Sequence, residues 1–226
     1  MRRIVIIGNS GAARECYGIV RDVFAADVSY AASHRFAGFL SWKKYPGDLK
    51  DLSSLALGDA DAYTPQPEDL FIMGVADPLL RAAIFDAFKA RGAAFMNLVH
   101  PLADVCRSAS LGEGNILQRG SFILCDAVVG NGNYLNGFVG IAHDAVLGDC
   151  NFLAPQTMIL GSAVMGSRNR FGPSAILLDR ARVGDDNLIS PGSIVYKGCG
   201  SHCRMAGNPA LKIGDMPMAE EKAPTL

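Results

Sequence analysis

Between residues 105 and 195 an aliphatic or aromatic side chain recurs every six residues without a miss. The series runs Val105, Leu111, Leu117, Ile123, Val129, Leu135, Ile141, Leu147, Leu153, Ile159, Met165, Phe171, Leu177, Val183, Ile189, Val195. Helical side chains repeat at 3.6 residues and strand side chains at 2.0, so neither element makes this pattern. A period of six marks a parallel β-helix built from hexapeptides. A period of 18 lies over it, with Gly112, Gly130, Gly148, Gly166 and Gly184 in one column and Asn115, Asn133, Asn151, Asn169 and Asn187 in another. Three hexads therefore make one coil with three flat sides, and these columns stack on one side and its corner. The fourth residue after each apolar one is small at Ala109, Ser121, Ala127, Ala145, Thr157, Ala163, Ala175, Ala181 and Ser193. Small residues suit a tight corner, and the Asn and Gly columns are expected to supply its αL backbone. Each coil is buried only by its neighbours, so the stack forms cooperatively.

The first hundred residues alternate differently. Ile4 to Ile7 reads as a strand, Gly8-Asn9-Ser10-Gly11 as a tight turn, and the following residues as a helix capped by Ser10, with Cys16, Ile19, Val20, Val23 and Phe24 on its buried face. Further strands are expected over 36–40, 70–75 and 95–99. Asp77 at the cap, Pro78 at the first turn and Gly92 beyond the end bracket a helix over 79–91. Strands alternating with helices imply an α/β, Rossmann-like parallel sheet. The expected organisation is a parallel-sheet domain over 1–99, an all-β parallel β-helix over 100–206 beginning near His100-Pro101, and a tail over 207–226.

Composition narrows the partners. With half its 226 residues hydrophobic and a formal charge of -1, the chain has material for one or two cores and no basic excess for nucleic acid. No apolar run reaches the roughly 18 residues of a membrane span. The start, Arg2-Arg3-Ile4-Val5-Ile6-Ile7, has too short an apolar stretch for a signal peptide. The six cysteines show no CxxC spacing and read as reduced thiols of a cytoplasmic protein. Cys199, His202 and Cys203 are zinc-type residues without an evident fourth ligand, so a loop after the last coil is expected and no metal.

Candidate chemistry is sparse because inward positions are aliphatic. His143 stands at the third position of its hexad and projects outward, in a column with Cys125, Gly161 and Asp179, and Asp144 follows it directly. An imidazole can take a proton from an amine or hydroxyl, and a carboxylate beside it orients the ring. The N–H of Gly161, one coil on, is expected to be accessible to an oxyanion. A solvent-facing histidine without a role fits the same position. Asn136 lies on the adjoining side of the same coil. Arg168, Arg170, Arg180, Arg182, Lys197, Arg204 and Lys212 make the late coils basic, which suits phosphates or simply solvent. Gly8 to Gly11 is the natural phosphate seat of the first domain, although it is not GxGxxG and no acidic residue clearly follows the second strand.

Together these residues resemble the hexapeptide-repeat acyltransferases, and within them the sugar acetyltransferases of the NeuD and PglD type. The resemblance spans almost the whole chain. It rests on the hexads, on Ile141-Ala142-His143-Asp144 with Gly148-Asp149, on Ala206-Gly207-Asn208-Pro209-Ala210, on Gly8-Asn9-Ser10-Gly11-Ala12-Ala13-Arg14-Glu15, on Gly38-Phe39-Leu40 and on His100-Pro101. It implies a left-handed β-helix and a homotrimer with active sites between neighbouring prisms. It also implies acetyl-CoA in that groove, with Arg204 and Lys212 near the coenzyme, and a nucleotide-linked sugar on the first domain at Gly8, Asn9, Ser10 and Gly11. His143 would be the general base, Asp144 its partner, Asn136 a lining residue and the Gly161 N–H the donor to the thioester oxygen. The sugar nucleophile would attack directly, without an acyl-enzyme. Two positions depart from the pattern. Ala12 replaces a frequent histidine, and Ser41 and Trp42 replace frequent acidic residues, which leaves N- and O-acetylation and the carrier open. Transfer to a small non-sugar amine or alcohol, and a non-catalytic β-helical binding or assembly protein, are the alternatives.

Overall fold

The computed structural model describes residues 1–42 and 47–216. The first domain holds a five-stranded parallel sheet in the order β3-β2-β1-β4-β5, formed by β1 (Arg2–Ile7), β2 (His34–Ser41), β3 (Ala56–Asp59), β4 (Asp69–Met73) and β5 (Ala94–Phe95). Successive residues of β1 enter opposite cores. Ile4 and Ile6 pack with Cys16, Ile19 and Val20 of helix α1 (Gly11–Ala26), whereas Val5 and Ile7 pack with Ile84 and Phe88 of helix α3 (Pro78–Lys89). Burial on both faces explains why β1 is a continuous apolar run. Asp77 caps α3 by accepting from the Leu80 N–H at 3.0 Å. Ser10 occupies the cap position of α1, but its side chain makes no capping hydrogen bond, contrary to expectation. A short helix, α2 (Val28–Ser33), a 3-10 turn at Lys50–Leu55 and the strand β3 had no counterpart in the pattern of the chain.

The second domain is the expected left-handed parallel β-helix. Each hexad contributes a two-residue strand ending on its apolar residue. Strands 18 residues apart pair in register, as Tyr134↔Phe152 and Leu135↔Leu153 do. Its first side is an eight-stranded sheet from Leu98–Val99 to the closing hairpin; the second runs from Asp104–Val105 to Ile194–Val195 and the third from Ser110–Leu111 to Gly198–Cys199. Residues 95–99, expected as one strand, divide. Ala94–Phe95 ends the parallel sheet, and Leu98–Val99 opens the prism by pairing with Ile116–Leu117. Past Val195 the period breaks, and Cys203–Gly207 turns back antiparallel onto Ala210–Asp215. The first ten residues of the expected tail therefore include a strand, while 217–226 lie outside the described residues.

The corners differ from expectation in one respect. From Leu111 onward the left-handed backbone falls on the third residue after the apolar one, whatever its type: Asp126, Phe138, Asp144, Cys150, Gln156, Ser162 and Arg168 have φ of 56–63°. The small residues and asparagines at the fourth position are instead buried inside the turn. The asparagines form a ladder that begins one coil earlier than the pattern suggested. Asn97 Oδ1 accepts from the Asn115 N–H, Asn115 Oδ1 from Asn133, Asn133 Oδ1 from Asn151 and Asn151 Oδ1 from Asn169, at 2.8–3.0 Å. The glycine column has a steric cause rather than a dihedral one. A Cβ on Gly130 would meet the Gly148 carbonyl oxygen of the next coil at 2.8 Å.

The first domain sits on the first side of the prism, where Ile116, Tyr134 and Phe152 join the core around α1. Arg81 of α3 is fully buried and crosses the junction. Its guanidinium donates to the carbonyls of Gly132, Met73 and Val75 at 2.6–2.8 Å, and more weakly to Gly114 and Asn133. Among the described residues no helix is long and apolar enough to cross a membrane.

Asn151→Ala removes the acceptor of the Asn169 N–H and strands buried donors and acceptors on two coils. It is expected to cost about 2–3 kcal/mol, whereas Asn97→Ala, at the half-buried end of the ladder, should cost less than half of that. Urea titrations of the two variants check the order; equal losses would show that the ladder does not carry the stability.

Candidate active site

His143 occupies the corner between the second and third sides, between the strands Gly140–Ile141 and Val146–Leu147. Two strand-forming hexads hold that corner on either side, so its turn residues are fixed although they face solvent. The imidazole is 58% exposed and its Nδ1 lies 2.7 Å from Asp144 Oδ2. Asp144 takes the left-handed conformation of the corner, φ 59°, which Asp tolerates better than most residues. A carboxylate beside Nδ1 selects the tautomer that donates from Nδ1, leaving the lone pair on Nε2.

Gly161 lies beneath the ring on the next coil. A Cβ there would stand 2.9 Å from His143 Cε1 and 3.0 Å from Nε2, so only glycine leaves the imidazole its place. The Gly161 N–H is not the open donor that the column suggested: it donates to Asp179 Oδ1, one coil further, at 3.0 Å. His143, Asp144, Gly161 and Asp179 thus form one cluster.

The other expected residues do not join it. Asn136 follows Leu135 at the corner between the first and second sides, buried, with its Nδ2 donating to the Leu153 carbonyl at 3.0 Å. Arg204 and Lys212 sit on the closing hairpin, where Lys212 pairs with Asp215 at 2.6 Å. Nor are the late coils uniformly free base. Arg168 makes a two-pronged bond to Asp186 at 2.7 and 2.8 Å, and Arg170 lies over the Phe152 ring, 3.8 Å from Asp77. Among the described residues Arg180, Arg182, Lys197 and Arg204 make no ion pair. No group of three or more His, Cys, Asp or Glu among them could hold a metal ion.

A cavity of about 200 Å³ opens on the first domain at the carboxyl ends of β1 and β4. Gly8, Asn9 and Ser10 line it together with Trp42, Val75, Ala76, Asp77, Leu80 and Ile84. Gly11 is not part of the wall. Its φ is not positive and a Cβ on it would meet nothing nearer than Arg14 Nη2 at 3.8 Å. Gly8 is the constrained glycine of the turn, with φ 137° and a Cβ position already filled by the Gly74 carbonyl. Trp42 is nearly buried and forms part of this wall.

Nearly the whole chain shares its fold with solved sugar acetyltransferases. A histidine-to-asparagine variant of perosamine N-acetyltransferase from Caulobacter crescentus, in complex with CoA and GDP-perosamine, superposes with a TM-score of 0.83 at 24% identity, over 95% of this chain and 98% of that one. The acetyltransferase domain of PglB from Neisseria gonorrhoeae, in complex with acetyl coenzyme A, gives 0.80 at 19% identity, over 94% and 99%. WeeI from Acinetobacter baumannii gives 0.80 at 19%, over 94% and 100%. At these identities the likeness establishes the fold. No family profile matches the sequence, and neither does any curated protein.

The contribution of Asp179 was not visible beforehand. Its column was legible from the spacing of 18, but which backbone donor its carboxylate takes depends on coordinates. The tight seat under the ring is directly testable. Gly161→Ala is expected to displace the imidazole and weaken its contact with Asp144, while changing stability by no more than about 1 kcal/mol. Imidazole nitrogen NMR reads this, with His143→Asn assigning the signal among four histidines; an unmoved His143 resonance would refute the packing.

Proposed function

We propose that the protein is an acetyl-CoA-dependent acyltransferase that acetylates an amine or hydroxyl of a nucleotide-linked sugar, with His143 as general base. The observation that carries this reading is the His143–Asp144 pair, 2.7 Å apart, at an exposed corner of a β-helix. The complexes of the similarly folded proteins with CoA, acetyl-CoA and GDP-perosamine support the donor and the class of acceptor. Asp144 holds Nδ1–H, so Nε2 accepts the proton of the acceptor as its nitrogen or oxygen attacks the thioester carbonyl carbon. The tetrahedral oxyanion collapses with loss of the CoA sulfur, which recovers the proton from the imidazolium. No protein atom is acylated. Arg204 and Lys212 are assigned to the coenzyme, Asn136 to the wall of the site, and the cavity at Gly8, Asn9 and Ser10 to the acceptor; Gly11 borders its turn.

A homotrimer belongs to the same proposal. The first domain covers the first side of the prism, and His143 stands on the corner opposite that side. The cavity that would hold the acceptor contains no residue of the His143 corner. Arg81 fastens the domain in place, so a neighbouring copy must bring acceptor and base together. The outer residues of the second and third sides are apolar at Phe122, Met158, Ile176, Ile194, Val128, Val146 and Val164, with Val128 45% and Val146 41% exposed. Cyclic closure through such faces gives three equivalent grooves.

His143→Ala or His143→Asn is expected to lower kcat by at least about 100-fold with little change in thermal unfolding. Asp144→Asn should be milder, because it disturbs orientation and not the proton acceptor itself. Turnover measured with acetyl-CoA, a thiol reagent and a panel of nucleotide sugars decides; near-native turnover in the His143 variants would end this reading. Light scattering is expected to return a trimer, and a monomer at working concentration would contradict the shared groove.

A further inference from the structure

Side chains at the outer position of one coil accept hydrogen bonds from the backbone of the coil before it at two corners of the prism, but in different ways. At the corner between the third and first sides they form an unbroken ladder. Asn131 Oδ1 accepts from the Glu113 N–H, Asp149 from Asn131, Ser167 from Asp149, Asp185 from Ser167 and Ser201 from Asp185, at 2.6–3.0 Å. At the His143 corner the equivalent column is Cys125, His143, Gly161 and Asp179, and among the described residues it contains one such rung, from the Gly161 N–H to Asp179 Oδ1. A ladder of one rung does not run the length of the corner as a support. It lies instead at the reacting end of the imidazole. The vacant Cβ position of Gly161 is 3.0 Å from His143 Nε2 and 3.6 Å from Asp179 Oδ1, so the base and the carboxylate flank the same point. Gly161 itself is buried, whereas Asp179 and His143 are exposed above it.

We propose that Asp179 is a positioning residue that holds the Gly161 N–H in the empty enzyme and yields it to the thioester carbonyl oxygen when the acyl group enters. This rests on the acyltransferase reading above. The carboxylate is a stronger acceptor than a thioester oxygen. The acyl carbonyl therefore gains the N–H only by exchange with Asp179, and the acetyl group adds little to ground-state affinity. As negative charge develops on the carbonyl oxygen during attack, that oxygen becomes the better acceptor, so the donor is engaged where it lowers the barrier rather than where it tightens binding.

The test compares acetyl-CoA with CoA, which differ by the acyl group alone, by calorimetric titration of the intact protein. In the native protein the two dissociation constants should agree within about 2-fold. In Asp179→Ala the freed N–H meets the carbonyl, and acetyl-CoA should bind about 3- to 10-fold tighter than CoA, the net worth of one hydrogen bond. Asp179→Asn keeps a neutral acceptor and should fall between. A rung that is merely structural would lower the melting temperature and weaken both ligands together, so an unchanged acetyl-CoA to CoA ratio in both variants would overturn the proposal. If neither ligand binds the native protein, the acyltransferase reading fails and takes this inference with it, a result distinct from an unchanged ratio.

Discussion

Everything in the second domain follows from one constraint: a coil of a β-helix can be covered only by the coils on either side of it. Backbone carbonyls and N–H groups of strands 18 residues apart must pair with each other. A slip of even one residue would turn the aliphatic column outward. Register is therefore held over the whole stack, and side chains separated by 18 residues become neighbours about 4.8 Å apart. The His143 cluster is a product of that register. His143, Gly161 and Asp179 are distant in the chain and meet because the interior between them cannot shift.

Glycine marks the places where that stacking leaves no room for a side chain, and it does so for two separate reasons. In the column from Gly112 to Gly184 the obstacles are a hydrogen-bonding side chain and the backbone of the following coil. At Gly161 the obstacle is the ring of His143, so the same residue type that relieves crowding elsewhere makes a seat for an imidazole here. The corner conformation itself is indifferent to residue type. A left-handed backbone costs a non-glycine residue about 1–2 kcal/mol, yet Phe138, Gln156 and Arg168 adopt it, because the hydrogen bonds of two flanking strands outweigh the local cost.

This indifference explains what could be read from the chain and what could not. The hexads were legible because an inward position admits only an apolar side chain, and the Asn column because buried amides must satisfy one another. The left-handed position was misplaced, by one residue for the Asn column and by two for the Gly column, because its occupants share no chemistry. In the first domain the runs that became β1 and β4 and the Asp77-Pro78 start of α3 were legible, since both cores and a cap constrain them. Helix α2 and β3 were missed; α2 has no buried residue and the strand residues of β3 are largely exposed, so no pattern records them. Of the site, the His143–Asp144 pair was legible because adjacency in the chain is adjacency at a corner. The engagement of the Gly161 N–H was not, because any residue of that column could have faced away. Gly8 rather than Gly11 proved the constrained glycine, since its Cβ position is filled by Gly74, a residue from another strand end.

The junction between the domains is built on a buried charge. Among the described residues Arg81 has no carboxylate partner and is held by backbone carbonyls of both domains. Burial acts against its charged form, and burial likewise pushes the thiol of the neighbouring Cys16 up to about 12. Carbonyl dipoles and the Tyr134 ring, 5.3 Å away, hold it, and the full set of contacts exists only in the docked arrangement, because Gly132 and Met73 belong to different domains. Opening the junction would break its bonds to the Gly132, Gly114 and Asn133 carbonyls of the prism. The first domain is thus fixed against the side of the prism that faces away from His143. The cavity lined by Gly8, Asn9 and Ser10 and the His143 corner are therefore held apart within one chain.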